Sequence, residues 1–425
     1  MITISKPYIE TKEGTSFLTA RITDDKRKKA SVLWFSVDNE FGKYLCDDYA
    51  DSFLLGLLPI AIKTQQDILI EGAASERLLY NTRHFLEPAF QKILSTNSKI
   101  SIESQEICKK NYNSYGVGTG CSLGVDSLST IFRHLEKGIE NEYKLSHLTL
   151  FNSGQLGDYD LEASEKNFLN TIDEIKPFAS KIGLPILAIN SNLNSFYKDT
   201  GIIVTQTVAI RTIAFAMTVQ KLLRHYIMAS TYPIDKIKWD NFDAEHQEAA
   251  IIPLLESDNF STFVGDPFAS RVDKTAYIIK KPFVSNYLKV CWAEQTAFEV
   301  WHNTSFLENK TKVNCGWCDK CLRTLLAIEI LNNGKLDEYA EQFELKKYYE
   351  YRNQFIKKIF KQRKTNVFYD ELVNLIISHN YKKLPYGVLK TFKFKNFIDS
   401  HCKKMIKVLL HPHLLYSKVL SFIKR

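Results

Sequence analysis

Six residues that follow a run of small side chains could hold a phosphate group. Ser122-Leu-Gly-Val-Asp-Ser127 offers two hydroxyl groups, a glycine and a carboxylate, and stands before a stretch of helical character. Backbone N–H groups at a helix start have no partner within the helix, and the helix dipole adds positive charge there. Gly124 lets an anion approach the backbone, while Asp126 could cap the helix or help to hold Mg²⁺. We predict an anion-binding loop; an ordinary capped strand-to-helix turn is the alternative.

Four cysteines form a second group, with the spacing of a metal site. Cys315, Cys318 and Cys321 follow a C-x2-C-x2-C pattern, and Cys291 could return from an earlier segment as a fourth ligand. Apolar packing does not require cysteine at every third position with an intervening glycine. Four thiolates without an open position suit a tetrahedral structural Zn²⁺, and an iron–sulfur cluster is the alternative. We predict a structural zinc site.

The elements that must position these groups follow from an alternation of strands and helices after residue 114. Four runs have strand character: YGVGTGC before the loop, then residues 145–152, 184–190 and 226–231. The segments between them are typical of helices, at residues 126–138, 161–182 and 205–225. Strands separated by helices of ten or more residues indicate βαβ units and a parallel sheet. Ligands gather at the carboxyl ends of such strands, where the loop would lie.

Changes of pattern along the 425 residues predict three parts of the chain. Residues 1–111 indicate a small α+β domain, with strands at 30–37, 67–73 and 99–104 and helices at 49–64 and 78–94. Residues 112–335 indicate an α/β domain with a parallel sheet, flanking helices and the cysteine element. Residues 336–425 interleave basic and apolar side chains and predict helices only. We therefore expect an α/β protein with an added N-terminal domain and a basic helical C-terminal region.

The net charge of +8 is concentrated at the C-terminal end of the chain. Residues 341–425 hold 19 Lys and Arg against 6 Asp and Glu, whereas the remainder holds 37 against 42. This distribution argues against a nucleic-acid groove in residues 1–340, so we expect no DNA partner. It favours contact of the C-terminal region with an anionic surface or a partner protein. The sequence shows neither an apolar run of about 18 residues nor a signal-peptide pattern, so we expect a cytoplasmic protein. The oligomeric state stays open.

The loop resembles the S-G-G-x-D-S signature of the PP-loop ATP pyrophosphatases, with Leu123 at the position of the first glycine. In that family the loop binds the pyrophosphate of ATP while the α-phosphate is attacked. The 7-cyano-7-deazaguanine synthases, a branch of the family, also carry a C…C-G-x-C-x-x-C zinc site after the nucleotide domain, so the resemblance covers roughly residues 114–330. It implies a PP-loop (HUP-like) nucleotide domain with ATP, Mg²⁺ and structural Zn²⁺. If position 123 requires a positive φ, a leucine is strained there.

The resemblance also implies roles for individual residues. Catalytic roles fall to Lys274, which would neutralise charge on the leaving pyrophosphate, and to Arg211. Arg211 sits comparably to the arginine of an Arg-Asn pair in the deazaguanine branch, with Thr212 where that branch has asparagine. A solvated charge run and a helix-surface arginine are the alternatives. Asp158 and Asp160 would face the nucleotide side. The implied cofactor-binding residues are Ser122, Gly124, Val125, Asp126 and Ser127 in the loop, Phe151 and Asn152 beside adenine, and Arg271.

The implied reaction is an ATP-dependent ligase or transferase reaction. A carboxylate or amide oxygen of a small-molecule substrate would be adenylated with release of pyrophosphate, and ammonia or another nucleophile would then displace AMP. No segment resembles a glutaminase domain, so ammonia would come from solution or from a partner protein that donates ammonia or sulfur. The added N-terminal and C-terminal parts predict a substrate different from that of the deazaguanine branch. A non-catalytic nucleotide-binding scaffold and an RNA-thiolating PP-loop enzyme are the alternatives.

Overall fold

The computed structural model describes residues 1–26, 28–157, 159–291 and 312–388. Within these residues the chain is an α/β protein with one sheet of 11 strands and helices packed against it. The strands are β1 (Ile2–Ile4), β2 (Tyr8–Lys12), β3 (Thr15–Asp24), β4 (Lys29–Asp38), β5 (Ile68–Ser75), β6 (Ile102–Cys108), β7 (Gly116–Gly120), β8 (His147–Phe151), β9 (Ile186–Ser191), β10 (Leu223–Ala229) and β11 (Ser261–Gly265). The helices are α1 (Asn39–Gly42), α2 (Asp51–Thr64), α3 (Glu76–Asn81), α4 (Glu87–Ile93), α5 (Val125–Arg133), α6 (Leu161–Ile182), α7 (Leu193–Tyr197), α8 (Val208–Met217), α9 (Glu248–Ile251), α10 (Arg271–Ile278), α11 (Asp319–Leu331), α12 (Leu345–Gln362) and α13 (Val367–Ser378).

The sheet runs in the order β11-β10-β7-β8-β9-β4-β3-β1-β5-β6, and β2 pairs with β3 beside this path. The five strands from β11 to β9 are mutually parallel, which agrees with the βαβ prediction. β9 then pairs antiparallel with β4, where Phe35 lies opposite Ser191 and Ser36 opposite Asn190. The predicted N-terminal domain therefore extends the sheet of the α/β domain.

The glycines of β7 fit the crowded centre of the sheet. A Cβ atom at Gly116 would lie 2.8 Å from the carbonyl oxygen of Leu222, and one at Gly118 would lie 3.1 Å from the Leu223 side chain. Larger residues at these positions would push neighbouring strands apart. The small-residue run thus places the end of β7 in the middle of the parallel strands.

Side chains of β8 alternate between two cores, one on each face of the sheet. Leu148 and Leu150 join a cluster with α5, α6 and α11, whereas Phe151 joins a cluster with α2 and α8. All ten residues of α8 are buried, which explains why its sequence has no polar face. Helices on both faces cover the parallel strands, as such sheets require.

The boundaries depart from the prediction in three places. The helix expected at 205–225 ends at Met217, because Leu223 already begins β10. The helix expected at 78–94 is split by a π-helical turn, Thr82–Leu86. The sequence pattern did not predict β1, β2, β3 or β11. Ten residue pairs join β3 to β4. β3 is therefore stabilised mainly by pairing with its neighbour and less by the strand propensity of its own sequence.

The C-terminal region is helical as predicted, as far as residue 388. α12 and α13 bury Tyr348, Ile356 and Val373 in the cluster that contains α11. Residues 389–425, with the basic segment predicted to meet an anionic surface, lie outside the described residues, as does Asp158. Among the described helices, none combines the length and the apolar character needed to cross a membrane.

Candidate functional site

The predicted anion loop connects β7 to α5 without a side-chain cap. Gly124 is the N-cap residue of α5 and has no side chain to accept the first N–H groups. The Ser122 hydroxyl donates to Ser127 Oγ at 3.1 Å and accepts from the Gly124 N–H at 3.3 Å, while Ser127 Oγ donates to the Gly124 carbonyl at 3.2 Å. The amides of the first turn are therefore left to an external acceptor, which favours the anion-binding interpretation over a capped turn.

Leu123 adopts the positive φ that the sequence analysis considered. Its φ is 57°, and its side chain is 4% exposed within the core that contains α5. A left-handed conformation costs a non-glycine residue about 1–2 kcal/mol. Burial of the leucine side chain offsets this cost by a similar or larger amount. The leucine is therefore compatible with the turn that glycine would otherwise make.

Asp126 is held by two basic residues of α10. Arg271 lies 2.7 Å from Asp126 Oδ2, and Lys274 Nζ lies 3.4 Å from Asp126 Oδ1. Lys274 is fully buried and also donates to Ser230 Oγ at 2.9 Å and to the Ser230 carbonyl. Lys274 thus contacts Asp126 from the protein interior and is positioned to orient the loop. Arg271, by contrast, lines the open cleft.

A cleft of about 1210 Å³ opens beside the loop. Residues 120–127 form part of its wall, and α11 contributes Lys320 and Arg323 to it. Burial, followed by the positive charges of Arg323 and Arg271, lowers the pKa of Lys320 to about 7. Burial, followed by the charge of Arg271, also lowers the pKa of Arg323 to about 10. Three cations that repel one another would be stabilised by a polyanion placed among them.

Of the two residues expected beside adenine, Phe151 lines the cleft and Asn152 does not. Phe151 lines the cleft and stacks on Tyr226, with ring centroids 5.7 Å apart. Asn152 is 3% exposed, and its side chain bonds to Asn190 at 2.8 Å and to Ser164 at 2.5 Å. Its amide group is engaged in the interior and is not part of the cleft wall.

Arg211 lies away from the cleft wall. The side chain is fully buried, and its guanidinium donates to Asn194. It also lies over the ring of Tyr197, 4.5 Å from the centroid, and against Gly154, where a Cβ atom would approach it to 2.4 Å. The geometry assigns Arg211 to packing between α8 and α7. The position of Arg211 therefore does not support the catalytic role that the resemblance implied.

The four predicted metal ligands converge. The sulfur atoms of Cys291, Cys315, Cys318 and Cys321 all lie within 4.8 Å of one another, and the last three residues are buried. Cys315 Sγ and Cys321 Sγ are 3.9 Å apart. Sulfurs bonded at about 2.3 Å to a tetrahedral ion lie about 3.8 Å from each other, so the cluster could hold a structural metal such as zinc.

Asn314 connects the cysteine cluster to the anion loop. Its Oδ1 accepts the N–H groups of Val290 and Cys291 at 2.7 and 3.0 Å, and its Nδ2 donates to the Leu288 carbonyl at 2.8 Å. The neighbouring Lys289 donates its backbone N–H to the Leu123 carbonyl at 2.9 Å. The segment that contributes Cys291 to the cluster therefore also supports the loop, in the manner of outer-shell partners that orient ligands.

Acidic side chains complete the cleft. Asp243, Glu245 and Glu248, here called the acidic wall, all line it. Burial, with repulsion by Glu245 and Asp243, raises the pKa of Glu248 well above its usual value. Burial and the charge of Asp243 likewise raise the pKa of Glu245. The cleft is thus bipolar, with basic and acidic groups in one cavity.

Comparisons with protein-family models, with curated proteins and with solved structures give no match. The site therefore rests on its geometry. The sequence analysis missed Lys320, Arg323, Glu248 and Phe368. Lys320 and Arg323 carried a usable signal, because they lie within and directly after the cysteine motif on one helix. Glu248 and Phe368 carried none, since the fold brings them to the cleft from distant segments.

Proposed function

We propose that this chain is a PP-loop-type enzyme that binds ATP at residues 122–127 and adenylates a carboxylate or amide oxygen of a small molecule, with release of pyrophosphate. Ammonia or another nucleophile, from solution or from a donating partner, then displaces AMP. The observation that carries the proposal is the convergence of an uncapped helix start with Arg271, Lys320 and Arg323 in one cleft. Such a constellation suits a triphosphate.

The chemistry asked of the protein is positioning and charge stabilisation. The first-turn amides of α5 and the hydroxyls of Ser122 and Ser127 would hold the leaving pyrophosphate. Arg271, Lys320 and Arg323 would neutralise the negative charge that grows on it as the α-phosphate is attacked. Mg²⁺, when bound with ATP, would screen the phosphate charges. Lys274 keeps Asp126 in place from behind.

The size of the cleft favours a second substrate beside the nucleotide. Pockets for single small ligands typically measure about 300–1,000 Å³, whereas this cleft measures about 1210 Å³. The acidic wall adds a surface that ATP would not use. These features favour a ligase or transferase over a scaffold that only binds a nucleotide.

The test combines calorimetry with detection of pyrophosphate. Metal-replete protein is titrated with ATP and Mg²⁺, alongside the variants Arg323→Ala and Lys357→Ala, the latter an exposed lysine on α12. We expect ATP to bind, Arg323→Ala to weaken binding at least about tenfold through loss of a charge-assisted contact, and Lys357→Ala to match the wild type. Incubation with a panel of carboxylic acids then identifies those that release pyrophosphate. A folded, metal-replete protein that binds no ATP would overturn the proposal.

A further inference from the structure

The acidic wall contains a buried carboxylate oxygen that lacks a partner among the described residues. Glu248 is 4% exposed, and its Oε1 accepts no hydrogen bond. Buried polar groups in folded proteins are almost always hydrogen-bonded. A group left without a partner beside an open cleft is unfavourable in the unliganded protein. It becomes favourable when a ligand supplies the missing donor.

The other two acids of the wall already have partners. Asp243 accepts the Glu245 N–H at 3.1 Å and the Tyr232 hydroxyl at 3.2 Å. Glu245 is hydrogen-bonded to Thr231. Tyr232 in turn stacks on Phe368, with centroids 5.0 Å apart, so the wall has a firm aromatic support. Glu248 is thus the member of the wall with acceptor capacity to spare.

The arrangement of the wall favours a nitrogen group over a metal ion. In the described part of the chain, the four cysteines are the one group of three or more ligand residues that could hold a metal ion, and the three acids of the wall do not form such a group. Carboxylates accept hydrogen bonds and repel anions, so hydrosulfide or a second carboxylate is disfavoured here. An N–H donor supplies the hydrogen bond that Glu248 Oε1 lacks among the described residues.

We propose that the acidic wall binds a nitrogen group with N–H donors, and that Glu248 accepts one of its hydrogen bonds. This inference deepens the proposed function and rests on it, because the group would belong either to an amine nucleophile or to an amino substituent of the acid that is activated. Both sources present the same chemistry to the wall. Glu248 would accordingly be a specificity-determining residue of the second substrate.

The experiment uses the full, metal-loaded protein without nucleotide. Its melting temperature is recorded against rising methylammonium chloride, and separately against 2-aminopyrimidine, with KCl at equal ionic strength as the reference. We expect at least one probe to raise the melting temperature beyond KCl. In Glu248→Gln, the concentration needed for half of the effect should rise at least about tenfold. Asp235→Asn, which removes an exposed carboxylate paired with Lys236, serves as the matched control.

The two probes separate the two sources of the nitrogen group. Stabilisation by methylammonium points to an amine nucleophile, and stabilisation by 2-aminopyrimidine alone points to an amino substituent of the activated acid. If neither probe exceeds KCl, or if Glu248→Gln responds like the wild type, the proposal is wrong. ATP calorimetry on the wild type is scored independently, so a nitrogen site without ATP binding and ATP binding without a nitrogen site are distinct outcomes.

Misfolding of the variant does not obscure the result. Because Glu248 is buried without a full set of partners, Glu248→Gln should melt at or above the wild-type temperature when no probe is present. A residue that served only the fold would show a lower melting temperature and an unchanged probe response.

Discussion

The backbone N–H of Lys289, which lies two residues before Cys291 of the cysteine cluster, donates to the carbonyl of Leu123 at 2.9 Å. One short segment thus links the cysteine cluster to the loop proposed to hold phosphate. α11 provides a second link, because Cys318 is its N-cap residue and Lys320 and Arg323 follow on its first turns. A metal bound by the cysteine cluster would therefore organise the cleft as well as stabilise the fold.

The first prediction concerns metal removal. Cys291→Ser should lower the bound metal content and the melting temperature, because a structural metal contributes its binding free energy to folding. It should also weaken ATP binding, since Lys289 would no longer be fixed beneath Leu123. Metal analysis, thermal melting and calorimetry check these outcomes. Cys108→Ser, outside the cluster, is the control. Full ATP affinity in a metal-free but folded protein would contradict the coupling.

The second prediction concerns Leu123. Leu123→Gly relieves about 1–2 kcal/mol of left-handed backbone strain but removes a buried leucine side chain, whose loss typically costs about 2–5 kcal/mol. The net expectation is a free energy of unfolding lower by roughly 1–3 kcal/mol. ATP affinity should be retained, because glycine suits this turn. Urea unfolding and calorimetry test the two parts separately. A more stable glycine variant would mean that the leucine packs poorly.

The third prediction concerns the pH dependence of anion binding. Since the pKa of Lys320 is lowered to about 7, this residue loses its charge as pH rises through 7. In the unfolded chain Lys320 binds its proton up to about pH 10, so this group makes the folded state relatively more stable as pH rises from 7 toward 10. ATP affinity should move in the other direction and fall from pH 6 to pH 8.

An arginine at the same position provides the matched comparison for that titration. Lys320→Arg keeps a positive charge across the whole range, so its ATP affinity should fall less steeply between pH 6 and pH 8. Protonation of the nucleotide itself affects both proteins equally and cancels in the comparison. Calorimetry at three pH values is sufficient. Parallel pH profiles for the two proteins would exclude Lys320 from the anion site.

The fourth prediction concerns a buried ion pair between α11 and α12. Arg352 Nε lies 2.7 Å from Glu329 Oε2, and Tyr348 and Tyr381 also donate to this carboxylate. Burial opposes ionisation, but these hydrogen bonds lower the pKa of Glu329. Glu329→Gln should therefore reduce the free energy of unfolding at pH 7 by about 3–5 kcal/mol, because it leaves Arg352 buried without its counter-charge.

The sign of the pH effect follows from the lowered pKa of Glu329. The stabilisation is present above the unfolded pKa of about 4.3 and is lost as pH falls through the folded value. The wild type should consequently approach the stability of Glu329→Gln in acid. Glu350→Gln, an exposed residue paired with Lys347 on α12, should leave stability nearly unchanged. Equal unfolding curves for the wild type and Glu329→Gln at pH 7 would contradict this account of the pair.

Sequence reasoning succeeded where local spacing determines structure. The loop at 122–127 lies between a strand and a helix as predicted, and Cys315, Cys318 and Cys321, which are close together in the chain, converge with the more distant Cys291 as predicted. Arg211 and Asn152 show the limit of the method. Each has a residue type compatible with a ligand site, but whether a polar side chain faces a cleft or the interior depends on the packing of distant segments, such as α7 and β9.

Glu248 and Phe368 show the opposite case, because they line the cleft although no pattern in the sequence indicates it. Neither belongs to a recognisable motif, and they reach the cleft through an irregular segment and through α13. The sequence predicted the parallel order of the central strands because helices of sufficient length separate them. It did not predict that β4 would pair with β9, since a contact of two residue pairs across about 150 residues leaves no local pattern.

The most direct measurement is a crystal structure of the metal-loaded protein with a non-hydrolysable ATP analogue and Mg²⁺. The account predicts that the β- and γ-phosphates accept hydrogen bonds from the backbone N–H groups of residues 124–127, with Arg271, Lys320 and Arg323 around them. An analogue bound elsewhere, with the loop hydroxyls of Ser122 and Ser127 still bonded to each other, would contradict it.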